Sequence, residues 1–280
     1  MSVRVVTDSA ADLPPDLIKK LGITVVPLSV HFGEEVYQDG VDITPEEFFR
    51  KMSTGPVLPS TSLPSAGTFA ETYRKLAREA DGIVSIHLSS SLSGTYNAAR
   101  LGSEEAQAAC PVMVFDTRTA SLAEGLIVVV AAEAAQAGAS LEEVSTVVQD
   151  AITRAWVVFT LDTLEYLYKG GRIGKAQAFL GALLNIKPVL RVQDGEILPV
   201  ERARSKAQAV ERLCQMVEGL PRIDRLAVAH SADDQEVESL LDRLSALHPR
   251  ERIVVRRLGA TVGTYTGPGT LGIALLEGKA

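Results

Sequence analysis

The chain has 280 residues, enough for two domains of ordinary size or one large domain. Its net charge of -7 at pH 7 argues against a nucleic-acid partner, because such a partner requires a concentrated basic face. The longest apolar run, residues 126–132, falls far short of the roughly 20 residues that a membrane helix needs. The N-terminus also lacks the pattern of a signal peptide. These features predict a cytoplasmic protein with at most transient membrane contact.

Cysteines and histidines show no pattern of a metal site. The two cysteines, Cys110 and Cys214, stand far apart in sequence, as expected of buried thiols in a reducing compartment. No histidine is paired with another at helical spacing or with a cysteine. The four are His31, His87, His230 and His248. We therefore predict neither a metal nor a cofactor.

The N-terminal half of the sequence alternates between predicted strands and predicted helices. Apolar and β-branched runs predict strands at residues 3–7, 23–30, 83–88 and 112–115. Helical spacing predicts helices at residues 14–21, 96–109, 121–137 and 141–154, and two more that begin after the capping residues Thr44 and Ser65. This alternation predicts a parallel sheet with helices on both faces.

After residue 155 the pattern becomes mixed. Predicted strands at residues 189–192 and 196–200 flank a Gln-Asp-Gly turn, which is a hairpin signal. Helices at residues 207–218 and 235–246 flank a strand at 225–230, and another strand follows at 253–258. The glycines from Gly267 onward predict a turn that opens the last helix. We therefore predict an α/β protein with a parallel-sheet domain over residues 1–155 and a mixed α/β domain over residues 156–280.

The turn at residues 89–96 carries the most informative motif, Ser-Ser-Ser-Leu-Ser-Gly-Thr-Tyr, between a predicted strand and a predicted helix. Its hydroxyls, together with the N–H groups of a helix start, can hold an anionic oxygen group. The turn contains no Lys, Arg, His or acidic residue. The motif therefore indicates a pocket that holds a carboxylate or a phosphate without an obvious catalytic base.

A second hydroxyl cluster occupies residues 59–65, also before a predicted helix. Capping and turn chemistry alone account for one or two of its hydroxyls. If both clusters face one crevice at the carboxyl ends of parallel strands, Thr61 and Ser93 grip opposite sides of a small anionic group. An enzyme would need a base near Ser93, and the candidates are Asp8, Asp116 and His87. Capping explains the aspartates equally well, and a buried strand position explains the histidine.

Together with several other motifs, these clusters resemble the DegV family, bacterial proteins that bind long-chain fatty acids. Each motif is short, but their order and spacing match along the whole chain. The matching residues are Thr7-Asp8-Ser9, Asp12-Leu13-Pro14, Thr61-Ser62-Leu63-Pro64-Ser65, Ser90-Ser91-Leu92-Ser93-Gly94-Thr95, Asp116-Thr117, Gly170-Gly171-Arg172, Lys187-Pro188, Arg204 and Gly267-Pro268-Gly269.

The resemblance implies a two-domain protein that holds one fatty acid, such as palmitate, in a tunnel between its domains. Thr61 and Ser93 match the threonine and serine that bond the fatty-acid carboxyl group in the family. We assign Ser62, Gly94 and Thr95 to the same carboxylate site. Some members are the binding subunits of a fatty-acid kinase and present the carboxylate to a separate ATP-binding subunit, which makes an acyl phosphate. The resemblance thus implies a protein that is not itself an enzyme.

One position departs from the family pattern. Many members have a histidine before the Gly-Pro-Gly motif, and this chain has Tyr265 there. A tyrosine can donate one hydrogen bond, but it does not become cationic near neutral pH. We assign Tyr265 to the carboxylate site. Arg172 and Arg204 are predicted to support the head-group loops or to face a partner, and a surface ion pair is the alternative for Arg172.

The hydrocarbon chain requires an apolar slot, and a helical stripe beside Arg172 is the candidate. Its members are Ile173, Ala176, Phe179, Leu180, Leu183 and Leu184. We assign Ile173, Phe179, Leu180 and Leu183 to the acyl-chain pocket. Periodicity does not distinguish a tunnel wall from ordinary core. The main hypothesis is a fatty-acid-binding protein that transports lipid or presents it to a kinase subunit. The alternatives are an enzyme acting on a small phosphorylated or carboxylated metabolite, and a regulatory module whose lipid occupancy changes a partner interface.

Overall fold

The computed structural model describes residues 2–180 and 186–279. Within them the chain forms three β-sheets surrounded by helices. The strands are β1 (Val3–Asp8), β2 (Thr24–Val26), β3 (Ser29–Phe32), β4 (Glu35–Gln38), β5 (Ser60–Ser62), β6 (Gly82–His87), β7 (Val112–Asp116), β8 (Ala155–Thr160), β9 (Lys187–Gln193), β10 (Glu196–Ala203), β11 (Ile223–His230), β12 (Val254–Arg257) and β13 (Leu271–Glu277). The helices are α1 (Pro15–Leu21), α2 (Pro45–Thr54), α3 (Ala66–Leu76), α4 (Thr95–Ala106), α5 (Leu122–Gln136), α6 (Leu141–Arg154), α7 (Glu165–Lys169), α8 (Lys206–Glu218), α9 (Asp234–Leu244) and α10 (Ala260–Thr266).

The first sheet has the strand order β2-β1-β6-β7, and all of its pairs are parallel. Every residue of β6 is buried, as expected of a central parallel strand that is covered on both faces. The parallel α/β sheet predicted for the N-terminal half is confirmed.

The second sheet is mixed, with the strand order β10-β9-β8-β13-β11-β12. Strands β11 and β12 are parallel, and the other neighbours are antiparallel. The predicted hairpin joins β9 to β10, where Gly195 has a φ of +83°. The mixed α/β architecture of the C-terminal half is confirmed. The first sheet ends at Asp116 and the second begins at Ala155, and a domain boundary after residue 155 stays a prediction.

Helix α5 joins the two halves. It contacts β1 of the first sheet and β8, β11 and β13 of the second. Ten of its fifteen residues are buried, including the continuous run from Leu122 to Val129. A helix that is apolar on all sides requires protein on all sides, and α5 obtains it from both sheets. One hydrophobic core therefore runs from the first sheet through α5 into the second.

Two predicted elements are wrong. The chain after Gly267 forms strand β13 rather than a last helix, because the apolar run that follows is a buried central strand, which periodicity cannot separate from a buried helix. The single strand predicted at residues 23–30 is two strands that belong to different sheets. The break falls at Pro27, whose nitrogen cannot donate to a sheet.

A small third sheet has the order β4-β3-β5, and of its strands only the start of β3 falls within a predicted strand. Strand β5 pairs with β3 and places Thr61 opposite Val30. Helix α10, which was not predicted, packs beside this sheet and against α7 and α2. These elements build the mouth of the cavity described below.

The packing of α3 on α4 depends on Gly102. A Cβ added there would lie 2.6 Å from the Ala66 carbonyl oxygen and from the Phe69 Cβ, which is closer than real contacts allow. We expect Gly102→Ala to lower the free energy of unfolding by about 1–3 kcal/mol through overpacking. Gly67→Ala, on the exposed side of α3, meets no neighbour closer than 3.6 Å and should instead stabilise the fold by up to about 1 kcal/mol. Urea denaturation measures both, and equal effects at the two positions would contradict this packing.

Candidate functional site

A cavity lies between the two large sheets and is walled by residues from both halves of the chain. Its volume is about 850 Å³, including the open space at its mouth. The wall is apolar over most of its surface. Its larger side chains include Leu88, Leu92, Val157, Phe159, Val192 and Ile197. A cavity with such a wall has the character of a site for an apolar molecule.

Four polar side chains form a connected group on the wall of this cavity: Thr61, Ser93, Arg172 and Tyr265. Thr61 lies on β5 and Tyr265 on α10, and the Thr61 Oγ1 and Tyr265 hydroxyl oxygens are 2.6 Å apart. Ser93 lies in the turn before α4, where its Oγ is 2.9 Å from the Thr95 Oγ1. The hydroxyls therefore occur as two hydrogen-bonded pairs.

Arg172 connects these two pairs. Its Nε donates to the carbonyl oxygen of Leu92, next to Ser93, over 3.1 Å, and its Nη1 donates to the Gly170 carbonyl over 2.8 Å. The guanidinium also stacks on the Tyr265 ring, with 4.8 Å between the Cζ and the ring centroid. Among the cavity-lining residues that the structure describes, Arg172 is the one charged side chain. It gives the polar group a positive charge.

Two tyrosine rings, those of Tyr265 and Tyr166, each pack on a glycine of the other's helix. The ring packs on Gly170, after α7, where a Cβ would overlap it. In the reciprocal contact the Tyr166 ring of α7 packs on Gly267, which follows α10 and has a φ of +72°. Each glycine thus makes room for the tyrosine of the other helix. The Tyr265 hydroxyl is held in place by this packing as well as by Thr61.

Helix α10 receives its N-terminal caps from the other half of the chain. Its own N-cap is Gly259, which has no capping side chain. The Gly259 N–H donates to Asp12 over 2.8 Å, and the N–H groups of Ala260 and Thr261 donate to Asp39 over 2.9 and 3.0 Å. These bonds satisfy three N–H groups that a helix end leaves without partners.

Asp12 is a buried carboxyl group with a shifted pKa. Burial raises its pKa to about 7, and the charge of Asp39 acts in the same direction. Hydrogen bonds from Ser121 and Gly259, and the charge of Arg256, lower it by less. The Ser121 Oγ donates to Asp12 over 2.6 Å from a residue with a φ of +56°. Ser121 also lines the cavity, so the carboxyl group touches its wall.

The three residues that an enzyme could use as a base, Asp8, His87 and Asp116, do not line the main cavity and have other hydrogen-bond partners. His87 Nδ1 lies 2.8 Å from Asp8 Oδ2, and its Nε2 lies 2.8 Å from the Ser85 Oγ. Ser85 in turn bonds Tyr73, and all four side chains are fully buried. The network resembles a Ser-His-Asp arrangement, but its serine faces the core rather than a cavity.

Asp116 forms its hydrogen bonds near the surface. Its carboxylate accepts bonds from the Ser90 hydroxyl over 2.5 Å and from the Arg118 N–H over 2.9 Å. No carboxylate or imidazole lines the main cavity in the described residues. The arrangement around Ser93 consequently supplies hydrogen-bond donors and one positive charge, which suits holding an anion rather than proton transfer.

A family model described as "Uncharacterised protein, DegV family" matches residues 2–278. The chain belongs to the DegV family. A DegV domain-containing protein of Streptomyces coelicolor is 40% identical over 280 residues, covering 98% of each chain.

Solved structures of DegV proteins have the same fold. A Thermus thermophilus DegV family protein, described by its fatty-acid binding, is 41% identical, with a TM-score of 0.91 over 99% of this chain and 100% of that one. DegV of Bacillus subtilis, a fatty-acid-binding protein, is 32% identical with a TM-score of 0.88 over the same shares. A stearic-acid-binding protein of Eubacterium ventriosum is 26% identical with a TM-score of 0.87, covering 98% of each chain.

The remaining residues predicted for the carboxylate site lie beside the cavity. Ser62 is exposed, and its Oγ is 2.8 Å from His31 Nε2. Thr95 is buried beneath Ser93. Gly94 precedes α4, where a Cβ would come within 3.0 Å of Leu63. Their assignment to the carboxylate stays a prediction, with Thr95 in the position to act through Ser93.

Of the residues predicted for the acyl chain, Ile173, Phe179 and Leu180 do not line the cavity. Ile173 is buried in the main core, Phe179 lies beneath the Arg202 guanidinium, and Leu180 is exposed. Leu183 lies outside the described residues. The described part of the wall includes residues of β8, β9, β10 and β11, strands whose apolar residues carry no sequence signal that separates a cavity wall from a core. Arg204 is exposed, with its backbone N–H bonded to Gln208.

Two classes of feature are absent from the part of the chain that the structure describes. None of its helices combines the length and the apolar character needed to cross a membrane. In residues 2–180 and 186–279, no three or more His, Cys, Asp or Glu side chains gather in a way that could hold a metal ion.

Proposed function

We propose that this chain binds one long-chain fatty acid in the cavity between its two large sheets. The carboxyl group lies at Thr61, Ser93 and Tyr265, and the hydrocarbon chain runs along the apolar wall. The observation that carries the proposal is the composition of the cavity, which combines one connected polar group with an otherwise largely apolar surface. The fatty-acid binding of the Thermus and Bacillus relatives supports it.

The hydrocarbon chain supplies most of the binding free energy. About 15 methylene groups, each worth about 0.8 kcal/mol when buried, contribute about 12 kcal/mol before the costs of association. The apolar wall of the cavity supplies the surface that such a chain requires. The polar group then mainly fixes the orientation of the ligand.

The polar group has the right number of donors for a carboxylate. In each hydroxyl pair one O–H bonds the partner oxygen, which leaves one O–H free. Two pairs thus offer two donors, one for each oxygen of the carboxylate. Arg172 adds a positive charge that a tyrosine in place of the family histidine does not provide.

A double substitution tests the head-group assignment. We expect Thr61→Val with Ser93→Ala to weaken binding of stearate by about 100-fold, because hydrogen bonds to a charged group contribute about 1.5–3 kcal/mol each. Displacement of a fluorescent fatty acid measures the affinity. The control is Ser90→Ala, which removes a hydroxyl from the same turn, where it bonds Asp116 at the surface.

An unchanged affinity in the double variant, with a native circular dichroism spectrum, would place the head group elsewhere. An equal loss in the Ser90 variant would mean that the turn as a whole, rather than the two cavity hydroxyls, determines binding.

The mouth of the cavity suits presentation of the carboxyl group to a partner. A second, outer cavity of about 720 Å³ shares Thr61, Arg172 and Tyr265 with the main one and is also lined by Lys169. The proposed carboxyl position thus faces solvent-accessible space with two basic residues beside it. This arrangement supports the role of a non-catalytic subunit that presents the fatty acid to an ATP-binding kinase subunit.

This role predicts that acyl phosphate forms only in the complete mixture. The chain is combined with stearate, ATP and the ATP-binding subunit of the source organism, and acyl phosphate is trapped with hydroxylamine. We expect product in the full mixture, and none when the chain is omitted or replaced by the Thr61→Val, Ser93→Ala variant. Bound stearate without any product would contradict presentation and leave the carrier role standing.

A further inference from the structure

We propose that Asp12 and Asp39 are positioning residues that hold helix α10 against the ligand cavity and make exchange of the ligand respond to pH. The inference rests on the proposed function for the identity of the ligand, a long-chain fatty acid. The hydrogen bonds from α10 to the two aspartates belong to the protein alone, so they can be tested without any ligand.

The two aspartates contact the start of α10 through three hydrogen bonds, which join the two halves of the chain. Asp39 accepts from Ala260 and Thr261, and Asp12 accepts from Gly259. Because the N-cap is a glycine, the helix has no side-chain cap of its own. The fit is tight, since a Cβ at Gly259 would lie 2.9 Å from Asp12 Oδ1 and 3.1 Å from Asp39 Oδ1.

Helix α10 is also a wall of the cavity. Thr261, Val262, Tyr265 and Thr266 all line it. Thr261 lies one turn before Tyr265, so a shift of the N-terminal end of the helix would move the Tyr265 hydroxyl relative to Thr61, 2.6 Å away. The two carboxyl groups therefore fix one side of the head-group site from a distance.

The charges around Asp12 come from several elements. The negative charge of Asp39 raises the pKa of Asp12 and the positive charge of Arg256 lowers it, and the Glu124 carboxyl group also interacts with Asp12. Burial also keeps the pKa of Glu124 well above its usual range. Ionisation of Asp12 consequently places a second negative charge beside Asp39 in a buried site, with Arg256 as the nearby cation.

The direction of the pH effect follows from linkage. We call the arrangement in which the two aspartates bond the start of α10 the closed arrangement. In it the pKa of Asp12 is about 7, above the usual 3.8 of an aspartate in water. A proton therefore binds the Asp12 carboxylate more tightly in the closed arrangement than in an open one, in which water reaches Asp12. The closed arrangement is favoured below the usual pKa and loses this advantage as the pH rises through 7. Release of the fatty acid should speed up between pH 6 and pH 8.

The first test uses the ligand-free protein. Amide hydrogen exchange, expressed as protection factors, is measured for α10 in the native chain and in Asp39→Asn, Asp12→Asn and Gly259→Ala. We expect Asp39→Asn and Gly259→Ala to lower the protection of residues 259–263 by about tenfold, because each disrupts hydrogen bonds at the helix start. Asp16→Asn, at an exposed acid in α1, is the matched control and should change nothing.

The second test follows release of a fluorescent fatty acid by stopped flow from pH 6 to pH 8. The native chain should release it about tenfold faster at pH 8, and Asp12→Asn should release it slowly at both, because the amide mimics the protonated acid. The ratio of the Asp12→Asn rate to the native rate cancels the pH dependence of the ligand itself.

If folded Asp39→Asn and Gly259→Ala chains keep the native protection of α10, the two aspartates do not position this helix, whatever the ligand is. Equal pH dependence in the native and Asp12→Asn chains would overturn the pH response. Failure of any fatty acid to bind would instead refute the proposed function, and the hydrogen-exchange result would still decide whether the two aspartates hold α10.

Discussion

Helix α5 is the constraint on which the rest of this structure depends. It is apolar on nearly all sides and is buried by strands of both large sheets, so the two halves share one core. Residues from separate parts of the sequence therefore meet where the sheets face each other. The hydroxyl of Thr61 from one half lies against the hydroxyl of Tyr265 from the other because this shared core fixes the two halves together.

The chemistry of the cavity is that of recognition. Paired hydroxyls and a single guanidinium can hold a carboxylate, while the titratable groups that could act as bases are committed to bonds elsewhere. Tyr265 is positioned by its neighbours. Its ring is enclosed by Gly170 and Arg172, so the hydroxyl is positioned by packing rather than by its own charge.

Local sequence signals predicted the fold class and the hydroxyl turns, because strand alternation, capping residues and Ser-rich turns act over a few residues. These signals brought Thr61 and Ser93 together only on the condition that both turns face one crevice, and the resemblance to the DegV family singled out the two residues. The cavity wall could not be predicted from the sequence, because Val157 and Val192 show the same apolar pattern as core residues. The caps of α10 were also beyond prediction, since the Asp12 and Asp39 carboxyl groups bond N–H groups 247 and 221 residues away. The sequence contains no signal for such a pairing.

The most direct measurement asks whether the purified protein carries a fatty acid. Protein purified from its source is extracted with organic solvent, and the extract is analysed by mass spectrometry. We expect one long-chain fatty acid per chain, and rebinding of stearate by the delipidated protein at the same ratio. An extract without fatty acid, together with a delipidated chain that binds none, would contradict it.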